Sequence, residues 1–229
     1  MAISLDQIVP WGRTRREYDA MFNLRPVDLA DGVLDCGGGP ASFVAELAAT
    51  GLRAVSVDPI YRFAGSEIQA RFQAVVEPLM AQVRASAGDW SWTFHRDVDD
   101  LRATRRAALG RFLADYSLRP CPPRYAVGEL PSLPFGPGSF GLAVCSHLIF
   151  LYSDLLSEAF HKRALLELCR VAREVRVFPL LTLGGQRSPH VDPVRFALAE
   201  AGWGSEIVPV AYELQRGGNQ MLRVVAEAG

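Results

Sequence analysis

One stretch near the amino end constrains the chain more than any other: Gly32-Val33-Leu34-Asp35-Cys36-Gly37-Gly38-Gly39-Pro40-Ala41-Ser42-Phe43-Val44-Ala45-Glu46. Twenty-three positions after Asp35, a second apolar run, Ala54-Val55-Ser56-Val57, closes on Asp58. A short apolar run, a glycine turn, a helix and a second β run ending in a carboxylate is how a parallel α/β sheet builds a nucleoside site. The pattern therefore predicts a cofactor-binding crevice.

Each residue type in the turn has a reason to be there. Val33 and Leu34 end a buried strand, and Gly37 and Gly39 permit dihedrals and a close approach that a β-carbon would forbid, so a ligand can lie on the main chain. Pro40 suits the first turn of a helix and Gly51 the position just past its end. Asp58, at the tip of the next strand, can accept hydrogen bonds from both hydroxyls of a ribose.

A dinucleotide fingerprint would read Gly-x-Gly-x-x-Gly, but Gly37 and Gly39 are followed by Ser42 at the third position. Asp35, two residues before the first glycine, would repel a pyrophosphate and tolerate a cation. No Gly-Lys-Ser/Thr element follows a glycine loop, so a phosphate cradle is not indicated. Asp-x-Gly-x-Gly with a later strand-end acid resembles the class I S-adenosylmethionine-dependent methyltransferases, whose ligand carries an ammonium and a sulfonium and no phosphate.

A second block extends the resemblance: Tyr125-Ala-Val-Gly-Glu129-Leu130-Pro-Ser-Leu133-Pro-Phe135, then Ser139-Phe140-Gly141 opening an apolar run that ends Cys145-Ser146-His147. That family often has an acid beside the adenine, a Leu-Pro-Phe turn and a Ser-Phe-Asp start to the fourth strand. Here Gly141 replaces the Asp, and Ala41 replaces the third glycine of the first motif. The resemblance implies S-adenosylmethionine as cofactor, held by Asp35, Cys36, Gly37, Gly38, Gly39, Asp58, Pro59, Glu129, Leu130, Cys145 and Ser146. In it Glu129 accepts from the adenine amino group and Leu130 covers the ring.

Composition fits a globular enzyme. The chain has 229 residues, 49% hydrophobic, with a formal net charge of −1. That balance gives no electrostatic reason to expect nucleic acid or an anionic membrane as partner. The first residues lack a basic segment followed by an apolar one, and no run reaches the length of a membrane span, so the cytoplasm is the expected compartment. The four cysteines, Cys36, Cys121, Cys145 and Cys169, form no Cys-x-x-Cys pair, and no histidine stands at ligand spacing, so neither a disulfide framework nor a metal is expected.

Periodicity predicts one α/β domain over residues 1–229: a doubly wound, mostly parallel, seven-stranded Rossmann-like sheet with a carboxyl-terminal antiparallel hairpin. Residues 1–30 read as a helical lead-in, with Trp11-Gly-Arg13 a turn and Thr14 a cap. Strands are expected near 32–36, 53–57, 124–128, 141–147 and 173–181. A helix is expected over 153–172, capped by Ser153 or Asp154, and another over 192–201. Two β runs, 206–215 and 220–226, flank Arg216-Gly-Gly-Asn219, which reads as a tight hairpin turn.

Residues 62–123 are too many for an ordinary crossover. They predict a helical cap, with helices over 66–86, interrupted by Pro78, and 97–116, capped by Asp97; it starts beside Asp58 and can wall off a substrate pocket. Trp90-Ser-Trp92-Thr-Phe94-His95 reads as rings pinning this cap to the core. Arg102, Arg105, Arg106 and Arg111 read as a solvated face, as arginine runs on helices usually are.

Asp58-Pro-Ile-Tyr61 imitates the Asp-Pro-Pro-Tyr element with which some DNA methyltransferases grip a flipped base, but it follows the second strand, so a nucleobase target is disfavoured. By location at strand ends, His147, Tyr61 and Tyr18 are the candidates for a base or orienting group. The sequence thus predicts methyl transfer to a small-molecule acceptor. A catalytically silent S-adenosylmethionine-binding domain and an NAD-dependent oxidoreductase are the alternatives.

Overall fold

The computed structural model describes residues 10–119 and 121–226. The part of the expected lead-in that falls on residues 1–9 lies outside the described residues. In chain order the described elements are α1 (Arg15–Phe22), β1 (Val33–Cys36), α2 (Phe43–Ala48), β2 (Ala54–Val57), α3 (Gly65–Ala85), α4 (Val98–Ser117) and β3 (Tyr125–Ala126), then β4 (Phe140–Ser146), α5 (Glu158–Val171), β5 (Ala172–Phe178), α6 (Val191–Glu200), β6 (Trp203–Pro209) and β7 (Gln220–Ala226).

The strands form one seven-stranded sheet in the order β3-β2-β1-β4-β5-β7-β6. The first five pair in parallel and β7 runs antiparallel to both β5 and β6. Order reverses at β1, whose neighbours are β2 and β4, and a crevice at the carboxyl ends of such strands is where open α/β sheets bind ligands.

Alternation along the central strands sorts their side chains onto two apolar layers. Val33, Ala54, Leu142 and Val144 pack with Tyr18, Phe22, Phe43, Leu47, Phe72 and Phe112, the layer of α1 to α4. Leu34, Cys36, Val57, Ala143 and Cys145 pack with Leu165, Leu168, Val194 and Leu198, the layer of α5 and α6. Because β-strand side chains alternate, Asp35 lies on the first face and the two cysteines on the second.

The insertion between β2 and β3 is helical as expected. α3 spans 21 residues with Pro78 inside it, and the Asp97 side chain caps α4 by accepting from Asp100 N at 2.8 Å. Ile68, Phe72, Val76 and Met80 recur at helical spacing and are buried against the first layer.

Five boundaries differ from expectation. Helical structure between residues 10 and 30 is limited to α1 and a single 3-10 turn over Pro26–Leu29. α2 begins at Phe43 and not at Pro40, because Ala41 N closes a turn on Gly38 O first. β3 is only two residues long, since Glu129 turns back to bridge Ser132. α5 starts after Ser157, which accepts from Phe160 N, while the expected cap Ser153 donates to Phe150 O at 2.6 Å. β6 and β7 form the expected antiparallel pair, but its connection is longer than a tight hairpin: β6 stops at Pro209, and beyond the bond from Val210 N to Asn219 O residues 211–218 bury Tyr212, bridge Gln215 to Trp90 and turn at Arg216-Gly217. Tyr212 and Leu214 continue the strand's period-two alternation, so sequence pattern cannot separate that excursion from a strand.

Candidate active site

A cavity of about 810 Å³ opens at the carboxyl ends of β1, β2 and β4. One end is lined by Cys36, Gly37, Gly38, Gly39, Asp58, Pro59, Glu129 and Leu130, and Ser146, His147, Arg13 and Tyr18 also face the cavity. The other end is apolar, walled by Val75, Leu79 and Val83 of α3 with Trp90, Leu151, Leu156, Leu183 and Leu214. This volume lies in the upper part of the range for small-molecule pockets, about 300–1,000 Å³.

The glycine turn is built for close packing. Gly37 and Gly39 have φ of +69° and +54°, and a β-carbon on Gly38 would lie 2.0 Å from Asp35 Oδ2. Around Gly39, by contrast, an added β-carbon would meet only Asp58 Oδ2, at 3.9 Å, so the main chain there faces open space. The Asp58 carboxylate joins turn to strand: Oδ2 accepts from Gly39 N at 2.9 Å and Oδ1 from Ile60 N at 2.8 Å. Burial raises its pKa and those backbone donors oppose the rise.

The Trp11-Gly12-Arg13 turn is pressed onto this loop. A β-carbon on Gly12 would stand 2.0 Å from Pro40 O, and Arg13 O accepts from Ser42 N at 3.0 Å. Only glycine permits that approach, which fixes where Arg13 enters the cavity.

No family model matches the chain. The uncharacterized protein MJ0045 of Methanocaldococcus jannaschii is 30% identical over 221 residues, covering 96% of this chain and 97% of that one. The chain belongs to that protein's family. Among solved structures, the mitomycin 7-O-methyltransferase MmcR matches with a TM-score of 0.50 at 15% identity, over 93% of this chain and 54% of MmcR. A magnesium protoporphyrin IX methyltransferase, ChlM from Synechocystis PCC 6803 with bound SAM, matches with a TM-score of 0.47 at 14% identity, over 87% of this chain and 72% of ChlM. Sheet order and the MmcR likeness together make the fold that of the class I methyltransferases.

Within that fold, three of the residues expected to touch a ligand do not line the cavity. Asp35 is 1% exposed and lies on the α1 face under the glycine turn, where Tyr18 Oη donates to Oδ1 at 2.9 Å and Ser56 Oγ to Oδ2 at 3.0 Å. It supports the turn from beneath. Cys145 is fully buried on the opposite face, beside Cys36 in the β1–β4 register. Tyr61 is also buried; its hydroxyl donates to Gly39 O at 2.7 Å and stands 2.7 Å from Ser56 Oγ, so it braces the turn from the cap side.

His147 does line the cavity. Its backbone adopts φ +53°, a strained conformation for a non-glycine residue, held by a 2.6 Å bond from its N–H to Phe178 O. Nδ1 stands 2.8 Å from Ser146 Oγ, which can donate to Met21 Sδ at 3.7 Å. In the tautomer whose Nδ1–H donates to Ser146 Oγ, Nε2 is the acceptor. Burial, then the charges of Arg13 and Arg105, lower the His147 pKa well below its ordinary value, so the ring is neutral at pH 7.

Sequence reasoning missed the polar cluster behind His147. Arg105, expected on a solvated face, is fully buried, and its Nη1 donates to Glu17 Oε1 and Oε2 at 2.7 and 2.9 Å. The same carboxylate accepts from Thr14 N at 2.9 Å and Tyr212 Oη at 3.3 Å, and stands 3.2 Å from His95 Nε2. A usable signal was the phase of α4: Leu101, Arg105, Ala108 and Phe112 share one stripe and are all buried. The other arginines of the run behave as expected, Arg102 and Arg106 pairing with Glu77 at the surface and Arg111 lying 3.7 Å from Glu46. The aromatic run does tie the insertion to the core through Phe94 against Tyr212, while Trp90 also faces the cavity.

Among the described residues no group of three His, Cys, Asp or Glu could hold a metal, and no helix is long and apolar enough to cross a membrane.

Proposed function

We propose that the protein is an S-adenosylmethionine-dependent methyltransferase acting on a small, largely apolar acceptor. The observation that carries this reading is one continuous cavity: a glycine turn with two strand-end carboxylates at one end, an apolar chamber at the other, and His147 in its wall.

The residues present fit such a cofactor. Each Asp58 oxygen is engaged by one backbone N–H and keeps a lone pair for a ribose hydroxyl. Glu129 can accept from an adenine amino group, with Leu130 and Pro59 offering apolar cover for the ring. The open face at Gly39 is the kind of cradle that brings a ligand onto the main chain. The glycine turn lacks the third glycine of a dinucleotide fingerprint, Ser42 standing there, which disfavours the pyrophosphate of NAD.

When bound, the cofactor supplies an already activated methyl group. What remains for the chain is to align a nucleophile, exclude water and, where the acceptor needs it, take up a proton. The apolar walls from α3 and residues 148–156 serve the first two tasks. Neutral His147, in the tautomer that leaves Nε2 to accept, serves the third, its low basicity suiting an acceptor group that is itself acidic.

Calorimetry with S-adenosylhomocysteine, S-adenosylmethionine, NAD and NADP tests the reading. The first two are expected to bind with micromolar affinity and the nicotinamides to show no heat of binding. Binding of NAD with neither S-adenosyl compound bound would overturn it.

A further inference from the structure

Buried charge behind the cavity does not balance. Arg13 and Arg105 are 9% and 0% exposed, and the one carboxylate paired with either is Glu17, whose oxygens are occupied by Arg105, Thr14, His95 and Tyr212. Arg13 makes no ion pair among the described residues; its Nη1 donates to Trp11 O at 3.0 Å and its Nε has no protein partner. Arg105 likewise leaves Nε and Nη2 unpartnered. Asp35, whose pKa burial raises to about 7, supplies only part of a negative charge at neutral pH. Asp100, 3.7 Å from His95 Nδ1, is engaged by Arg96 at the surface.

Buried polar groups are almost always hydrogen-bonded, and an uncompensated buried guanidinium is among the most costly exceptions. Exceptions of this size call for an explanation, and a group supplied from outside is one. Arg13 is the member of the pair that lines the cavity. The Gly12 contact with Pro40 and the Ser42 bond to Arg13 O hold it there, so its placement is imposed by the fold.

We propose that Arg13, backed by the charge of Arg105, is a receptor for one carboxylate-sized anion that the ligand carries into the cavity. This deepens the methyltransferase reading and rests on it for the identity of one possible ligand. The anion has two chemical sources: the amino-acid carboxylate of the cofactor, or an acidic group on the acceptor. A planar guanidinium suits either, since it can present two parallel N–H donors to a carboxylate.

The test uses two matched pairs of probes by calorimetry. The first is S-adenosylhomocysteine with its decarboxylated analogue, which keeps the nucleoside and the ammonium. The second is indole-3-acetate with indole-3-acetamide, an apolar ring with and without charge. Arg13→Gln is expected to lower affinity for the carboxylate-bearing member of one pair at least tenfold and to leave the member without a carboxylate within twofold. A loss confined to S-adenosylhomocysteine assigns the anion to the cofactor, and one confined to indole-3-acetate assigns it to the acceptor.

If the substitution changes members with and without the carboxylate alike in both pairs, or changes none, the proposal is overturned. Should Arg13→Gln not fold, the wild-type protein carries the test: it must prefer the carboxylate-bearing member of at least one pair tenfold, and no preference in either overturns the proposal. Failure of both nucleosides to bind the wild type would remove the methyltransferase reading while the indole pair still reports on the anion site.

Discussion

The Asp35 carboxyl sits where a charge is hard to keep. It lies under the glycine turn, 1% exposed, and although Tyr18 and Ser56 donate to it, burial dominates and raises its pKa to about 7 from 3.8. A carboxyl whose folded pKa is raised binds its proton more tightly folded than unfolded. Its contribution to stability is therefore full below about pH 4 and is lost as pH rises through about 7. Asp35→Asn has no such proton to lose. Relative to the variant, the wild type is expected to lose on the order of a few kcal/mol between pH 5 and pH 8. Urea unfolding at a series of pH values measures this, and a constant difference across the range would refute it. The same residue marks a limit of sequence reading: its place in the motif was legible, but whether it faces a ligand depended on strand alternation combined with α1 packing overhead, a contact between residues far apart in the chain.

At the scale of elements, one buried carboxylate ties three segments to α1. Glu17 of α1 accepts from Arg105 of α4 and Tyr212 of the 211–218 excursion, and His95 of the α3–α4 connection stands within 3.2 Å. Despite the opposing cost of burial, these neighbours hold its pKa below the ordinary carboxylate value, Arg105 being the largest of them. Breaking a buried pair from one side leaves the other charge uncompensated, so Glu17→Gln should cost about 3–5 kcal/mol in chemical denaturation. Asp192→Asn, which removes a pair with Arg187 whose side chains are 70% and 51% exposed, should cost at most about 1 kcal/mol. Comparable effects from the two substitutions would show that Glu17 does not clamp these elements. The helices themselves were readable from periodicity and caps: Thr14, Asp97 and the apolar stripe of α3 all stand where the pattern puts them. The clamp was not, because Glu17 reads as a capping-box acid, a role it also fills through Thr14 N, and nothing local distinguishes a capping carboxylate at the surface from one sealed under an insertion.

For the whole molecule, the cavity decides which parts should respond together. Its walls come from the Trp11–Arg13 turn, the glycine turn, the start of the insertion, α3, residues 146–156 and the return loop at Leu214 and Gln215, segments that span nearly the length of the described chain. The sheet that supports them is continuous and needs no ligand, but α3 and the return loop close a space that is open at its centre. A ligand binding only the native state raises stability by mass action, about 2.7 kcal/mol at a hundred times its Kd. For a chain of this size that corresponds to roughly 5–10 °C in Tm. The distribution of that gain tests the architecture. With S-adenosylhomocysteine, hydrogen exchange should slow at the glycine turn and the end of β2, and also in the Trp11–Arg13 turn and residues 146–156, because one molecule would touch walls contributed by each. α3 and the return loop border the apolar end and should gain less until an acceptor is present. Protection confined to the glycine turn would mean that the ligand stops at the nucleoside end and that Arg13 and His147 face it across an unfilled gap. Slowing at α3 equal to that at the glycine turn, with the cofactor product alone, would instead place the nucleoside in the apolar chamber and reverse the assignment of the two ends.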